Sequence, residues 1–244
     1  TLNGDQLMQL SKAVEGIKRD QQAHLLSEVK TKVPENAKLL SGGSGFLIDV
    51  KGYVVTNAHV LKGKKVVVVN NAGQELAAEI LYVDKNIDLA LLAIKDEEYK
   101  QPKKLPFSLG KNAELGEEVF TLGYPRADND IVYGKGYLSA QSGFDGDSNT
   151  YQVQISANPG ISGSPVFNEK GQLVGVVSAR QKQMEGVAFA IKSKKIVELI
   201  KAADQANVNE SLNIKLNNSK NLSSNRKDQI NSIKDYIYNI KSFN

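Results

Sequence analysis

Few side chains in this sequence can move a proton near neutral pH: there are two histidines and no cysteine. Without cysteine there is no disulfide framework, thiol nucleophile or cysteine-based metal site. His24 lies in a polar N-terminal stretch and reads as solvent-facing. His59 differs, because it closes a β-rich run in TNAHV, beside Asn57 and the small Ala58. With one histidine in the body and no HExxH, nothing in the sequence points to a histidine-based zinc site, and no metal or organic cofactor is expected. The most unusual segment is SANPGISGSPVF, residues 156–167. Pro159 restricts the backbone, Gly160 relaxes it, and Gly163 permits a close approach directly after Ser162. Such a loop can turn backbone N–H groups towards a forming negative charge, and a serine beside them attacks a carbonyl once a base takes its proton. We expect the amides of Gly160 and Ser162 to receive the oxyanion, with Ile161 as a further candidate donor. His59 is then the base. Its carboxylate partner is expected in NIDLALL, where Asp88 is flanked by Ile87, Leu89 and Leu91. It would hold the ring in the tautomer whose free nitrogen faces Ser162. Taken singly, each of the three residues has a plain structural account; their joint order carries the chemical one.

The elements that must position these residues are short strands. Alternation and turn signals predict strands in GSGFLID and GYVVTNAHV, joined by a tight turn at Asp49 to Gly52, and then in KKVVVVN, LAAEILYVD and DLALLAI. A Pro-containing stretch at 101–106 ends this group. A second group follows: EEVFTLGY, GYLSAQS, TYQVQISA, SPVFN, GQLVGVVSA and GVAFAI. Two successive sets of strands without long helices between them fit an all-β pair of small antiparallel barrels better than a βαβ sheet. We expect the barrels at about 39–108 and 115–191 of a domain covering 36–204, with a closing helix at 193–203. Residues 1–35 form an N-terminal helical segment and connector, with apolar points at Leu7, Leu10, Val14 and Ile17. Residues 205–244 are an Asn/Ser-rich extension in which Ile230, Ile233, Ile237 and Ile240 fall at helical spacing, which predicts a terminal amphipathic helix.

The net charge of +4 at first suggests a nucleic-acid partner. However, residues 205–244 carry six basic against three acidic side chains, so the excess sits mostly in the tail. No Arg-rich stripe or aromatic–basic interleaving marks the body, and no nucleic-acid partner is expected. The longest apolar runs, such as VVVV at 66–69, are too short to span a bilayer. No signal peptide is visible, and the Thr1 start leads us to expect a processed or trimmed product. Nothing in the acidic positions singles out a glycosidase pair.

TNAHV, NIDLALL and NPGISGSP together resemble the three blocks of trypsin-like serine proteases, most closely the bacterial HtrA/Deg group. The order His, Asp, Ser is the chymotrypsin order. GSGFLID, GYVVTNAHV, GQLVGVVSA and GVAFAI extend the likeness over roughly residues 36–204. The resemblance implies two perpendicular β-barrels with the site in the crevice between them. It also implies a triad of His59, Asp88 and Ser162, and Gly160 as the oxyanion glycine. Two departures stand out. The group usually reads Asn-Pro-Gly-Asn-Ser-Gly-Gly-Pro, whereas Ile161 precedes this serine and Ser164 replaces the second glycine. Ile161 also excludes the ion pair with a newly cut N-terminus by which trypsin organises its pocket. By resemblance the S1 pocket takes Ser156 at its base, with Ala157, Val177, Ser178, Ala179, Gly186, Val187 and Ala188 around it. None of these is charged, so a cationic P1 side chain would be buried without a partner. Cleavage after small or medium apolar residues of a protein or peptide substrate is expected. An extracytoplasmic location follows by resemblance, and self-association through the N-terminal stripe is a further expectation. The rivals are a silenced protease-fold binding or scaffold protein and a carboxylesterase.

Overall fold

The structure, a computed structural model, describes residues 4–27, 32–33, 35–125, 130–155, 161–179, 186–207, 210–217 and 222–244, with side chains of the first helix described over 4–17. The chain divides into two units, Thr1–Pro34 and Glu35–Asn244. The first holds helix α1, Gly4–Ser27, on which Leu7, Leu10, Val14 and Ile17 are all exposed. Among the described residues no helix is long and apolar enough to cross a membrane.

The second unit is built from β1 (Leu39–Asp49), β2 (Tyr53–Thr56), β3 (Lys65–Val69), β4 (Glu75–Asp84), β5 (Leu89–Ile94), β6 (Glu118–Gly123), β7 (Val132–Ala140), β8 (Thr150–Ile155), β9 (Pro165–Asn168), β10 (Leu173–Ser178) and β11 (Val187–Lys192). Helices α2 (Lys194–Ala206) and α3 (Arg226–Ile233) and strand β12 (Ile237–Phe243) follow. These strands close two antiparallel barrels, in the order β1-β12-β3-β4-β5-β2 and β10-β11-β8-β7-β6-β9. The expected turn at Asp49 to Gly52 is present: Gly52 N–H donates to the Asp49 carbonyl, and Gly52 has a φ of +104° that glycine alone adopts freely.

Burial explains why the strand sequences are so apolar. Strand β5 is buried along its whole length. Leu92 and Ile94 fill the first barrel with Leu47, Val54 and Val68, whereas Leu89 and Leu91 belong to a second cluster with Phe120 and Phe167 of the other barrel and Ile196, Leu199 and Ala203 of α2. A strand with both faces covered reads as a continuous apolar run. The second barrel has its own filling, including Val119, Leu138, Tyr151, Val153 and Ile161. The core between the barrels lies behind the end of β2, the start of β5 and the segment that leads into β9.

One expectation is corrected. The terminal helix predicted through Ile230, Ile233, Ile237 and Ile240 stops at Ile233; after a single 3₁₀ turn at Lys234–Tyr236, the chain runs as β12. That strand fits between β1 and β3, pairing antiparallel with both. The sequence IYNIKSF is rich in β-branched and aromatic residues, and β1 and β3 offer its backbone a ladder on either side. Long-range pairing outweighs a local periodicity that four isoleucines leave ambiguous. The first barrel is thus closed by residues outside 39–108.

Candidate active site

His59 sits on a 3₁₀ turn, Ala58–Val60, that leaves the end of β2. Asp88 precedes β5 with a φ of +59°, a conformation that Asp tolerates better than most residues. It is held there because its carbonyl accepts the Ala58 N–H (3.2 Å) and the Asn57 side-chain amide (3.0 Å). Those bonds tie the aspartate's backbone to the histidine's turn before the two side chains interact. Ser162 lies in the tight connection ahead of β9. There Gly163 has a φ of +88°, and a Cβ on it would collide with the Ser44 carbonyl oxygen of β1. Gly163 donates its N–H to Val177 O (2.9 Å), and Ser44 donates its N–H to Ser162 O (2.8 Å). The Ser162 segment is therefore pinned to one strand of each barrel.

The three side chains meet. His59 Nδ1 is 2.8 Å and 3.0 Å from the two Asp88 carboxylate oxygens, and Nε2 is 3.2 Å from Ser162 Oγ. The carboxylate also accepts the His59 backbone N–H (3.0 Å) and the Ser178 hydroxyl (2.8 Å). A proton on Nδ1 faces two acceptors, so Nε2 is left as the acceptor for the serine proton. Burial pushes the Asp88 carboxyl up, but the hydrogen bond and charge of His59, the Ser178 hydroxyl and the His59 amide outweigh it and hold the group below its ordinary value. Asp88 and Ser162 are buried while His59 is partly exposed, so an incoming carbonyl can reach the hydroxyl from the open side.

The expected pocket residues fall into two sets. Ser156 and Ala157 lie outside the described residues, as does the expected oxyanion glycine, Gly160. Of the rest, Val177 packs into the second barrel with Ile161, and Ala188 lies against the same cluster. Ser178 turns its hydroxyl to Asp88, Ala179 N–H reaches Ser162 Oγ at 3.3 Å, and Gly186 leads into β11, where Val187 pairs with Gln154.

Both departures in the Ser162 segment find an explanation in packing. Ile161 anchors the loop by burying its side chain in the second-barrel core, a contact that needs no charge. Ser164 is fully buried and faces Gly123, where a Cβ would run into its Oγ, so the missing side chain at 123 makes the room that Ser164 fills. Among the described residues that Oγ has no hydrogen-bond partner.

Sequence reasoning missed two supporting residues. Ser178, expected only in the pocket wall, has a hydroxyl that faces the carboxylate. Ser44 received no role, although its backbone holds Ser162 and its Oγ accepts the Tyr124 N–H at 2.7 Å. No local signal marks either one. Each is defined by partners at least 80 positions away.

The family model described as Trypsin-like peptidase domain matches residues 43–176, more than half of the chain. A protein of Marinomonas sp. named as a DegP-like periplasmic serine endoprotease is 35% identical over 177 residues, covering 68% of this chain and 36% of that relative. A DegP-like namesake of Pseudomonas putida strain GB-1 is 37% identical over 160 residues, covering 61% and 32%. The chain thus spans about a third of the length of these curated relatives. Among solved structures, the serine endoprotease from Yersinia pestis superimposes with a TM-score of 0.57 at 26% identity, over 67% of this chain and 58% of that one. With the family model matching more than half of its residues, the chain belongs to the trypsin-like peptidases.

Proposed function

We propose that this chain is a serine endopeptidase that hydrolyses peptide bonds of protein substrates through an acyl-enzyme. The observation that carries the reading is the position of His59, with one ring nitrogen against the buried Asp88 carboxylate and the other 3.2 Å from Ser162 Oγ. His59 takes the hydroxyl proton as Ser162 attacks the carbonyl, and returns it to the departing amine. A water molecule activated by the same nitrogen then releases the acyl group. Asp88 stays ionised throughout and stabilises the imidazolium that forms in each half-reaction. The amides of Ser162 and Gly160 are our assignment for the oxyanion. The Gly163 N–H is engaged with Val177 O and is not available for that task. Neutral residues at every expected pocket position support cleavage after small or medium apolar side chains. Relatives named as periplasmic endoproteases support an extracytoplasmic place of work, and the exposed stripe of α1 supports self-association.

A fluorophosphonate probe tests the reading directly. Covalent labelling is expected at Ser162, and His59→Ala is expected to slow it by at least about 10³-fold. Absence of labelling in folded wild-type protein would assign the crevice to binding instead. A peptide panel tests specificity, and dominant cleavage after Lys or Arg would overturn the apolar preference.

A further inference from the structure

The strand that touches the nucleophile loop is poor in side chains. Residues 42–45 of β1 read Gly-Gly-Ser-Gly, and space forbids anything larger at key points. A Cβ on Gly43 would come within 2.9 Å of Ser162 O and 2.7 Å of a Val60 methyl, beside His59. A Cβ on Gly45 would meet Val55 O at 2.8 Å. This stretch must be bare to let the catalytic loop approach, and a bare backbone has little rigidity of its own. Its geometry has to come from its neighbours in the sheet.

One of those neighbours is β12. Gly43, Ser44 and Gly45 stand opposite Ile240, Asn239 and Tyr238. On its other edge β12 pairs Asn239 with Val69 and Ile240 with Val68 of β3. The strand is firmly seated: Ile237, Tyr238, Ile240 and Phe243 are buried, and Ser242 Oγ accepts the Gly63 N–H at 2.7 Å. Asn244 and Lys38 exchange two hydrogen bonds at its end. Upstream, the same tail is fixed to the other barrel. Arg226 bonds Glu118 at 2.7 Å and Tyr133 at 3.0 Å and lies 4.0 Å over the Phe120 ring, and Gln229 donates to Glu169 O at 2.9 Å. The tail therefore grips the second barrel through α3, crosses to the first as β12, and there braces the glycine-rich stretch whose Ser44 N–H holds the Ser162 carbonyl.

We infer that β12, supplied by the C-terminal tail, is a positioning element for Ser162. It acts through Ser44 and fixes where the nucleophile stands against His59. The inference rests on the reading of Ser162 as nucleophile. It goes beyond that reading in assigning control of the nucleophile to a strand that lies outside the span matched by the family.

Two full-length variants test it, each removing a large side chain from the same first-barrel core: Ile240→Ala on β12 and Leu76→Ala on β4. Both are compared with wild type at a temperature where circular dichroism shows all three folded. The readouts are the rate of fluorophosphonate labelling at Ser162 and amide hydrogen exchange across 43–46. A purely structural role for β12 predicts that both variants lose similar thermal stability and label alike. We expect Ile240→Ala alone to slow labelling, by about tenfold to a hundredfold, and to speed exchange at Ser44. Equal labelling rates and equal exchange in the two variants would overturn the inference. If Ile240→Ala does not fold, Ile240→Val and Leu76→Val are read by the same criteria. If wild type itself does not label, the endopeptidase reading fails, while exchange at Ser44 still decides whether β12 positions the loop.

Discussion

Ser164 carries the clearest mismatch between chemistry and surroundings at the level of single residues. Its hydroxyl is buried and, among the described residues, unpartnered, which costs about 1–3 kcal/mol relative to a satisfied or absent group. Ser164→Ala keeps the Cβ that fills the space beside Gly123 and removes only the hydroxyl. It is expected to raise unfolding stability by about 1 kcal/mol, seen as a higher denaturant midpoint at an unchanged slope. Asp88 is governed by the opposite balance, because its carboxylate has donors on both oxygens. Asp88→Asn should lower the labelling rate at Ser162 by about 10⁴-fold, because an amide cannot hold the Nδ1-protonated ring and stabilise its cation. The same carboxylate contributes to stability. Its folded-state pKa lies below the ordinary 3.8, so the contribution is complete above that value and is lost as the pH falls through the lower, folded-state value. The stability gap between wild type and Asp88→Asn should therefore narrow as acid titrations pass below about pH 4; a constant gap down to pH 2 would refute this account. His59, Asp88 and Ser162 were all legible in the sequence, since each lies in a short block of recognisable composition. Ser44 and Ser178 were not, because their roles are contacts and leave no local pattern.

Secondary structure was legible wherever the neighbours of an element are close in sequence or its burial is complete. Strands β3, β5, β6 and β10 announce themselves as apolar runs bounded by turn residues, and α2 by Ile196, Leu199 and Ala203 on one face. The tail was not legible in this way. Ile230 and Ile233 belong to α3 and Ile237 and Ile240 to β12, so a single helical register runs through two unlike elements. What fixes the second pair as strand is an open site between β1 and β3, far away along the chain. The clamp that precedes it is accessible to a simple test. Arg226→Ala removes a guanidinium stacked on Phe120 and bonded to Glu118, Tyr133 and Gln229. Because Glu118 is well exposed, its ion pair is discounted for solvent screening. The expected loss is about 1–2 kcal/mol, mainly from stacking and the lost hydrogen bonds, measured by urea unfolding. A midpoint shift indistinguishable from zero would show that α3 is held by its apolar contacts alone.

At the scale of the whole molecule, the two barrels share a core with α2 and the tail, so the geometry of the candidate triad and global packing are coupled. The N-terminal unit poses a separate question. Leu7, Leu10, Val14 and Ile17 repeat at spacings of three and four, and all are exposed, the spacing of a coiled-coil seam. Self-association through this stripe is expected in sedimentation experiments, and Leu10→Glu with Ile17→Glu should shift the protein to a smaller species while leaving labelling at Ser162 unchanged. An unaltered sedimentation profile would remove the stripe from consideration as an interface. By itself the sequence determined the candidate triad residues and their order, the all-β character and the division into two strand-rich halves. These follow from residue type, local periodicity and turn chemistry, which act over a few positions. Only the tertiary structure decided that the last strand closes the first barrel, that Ser178 and Ser44 serve Asp88 and Ser162, and that Gly123 makes room for Ser164. Those outcomes depend on pairings and close approaches between residues scores of positions apart. Their energies exist only once the chain has brought them together.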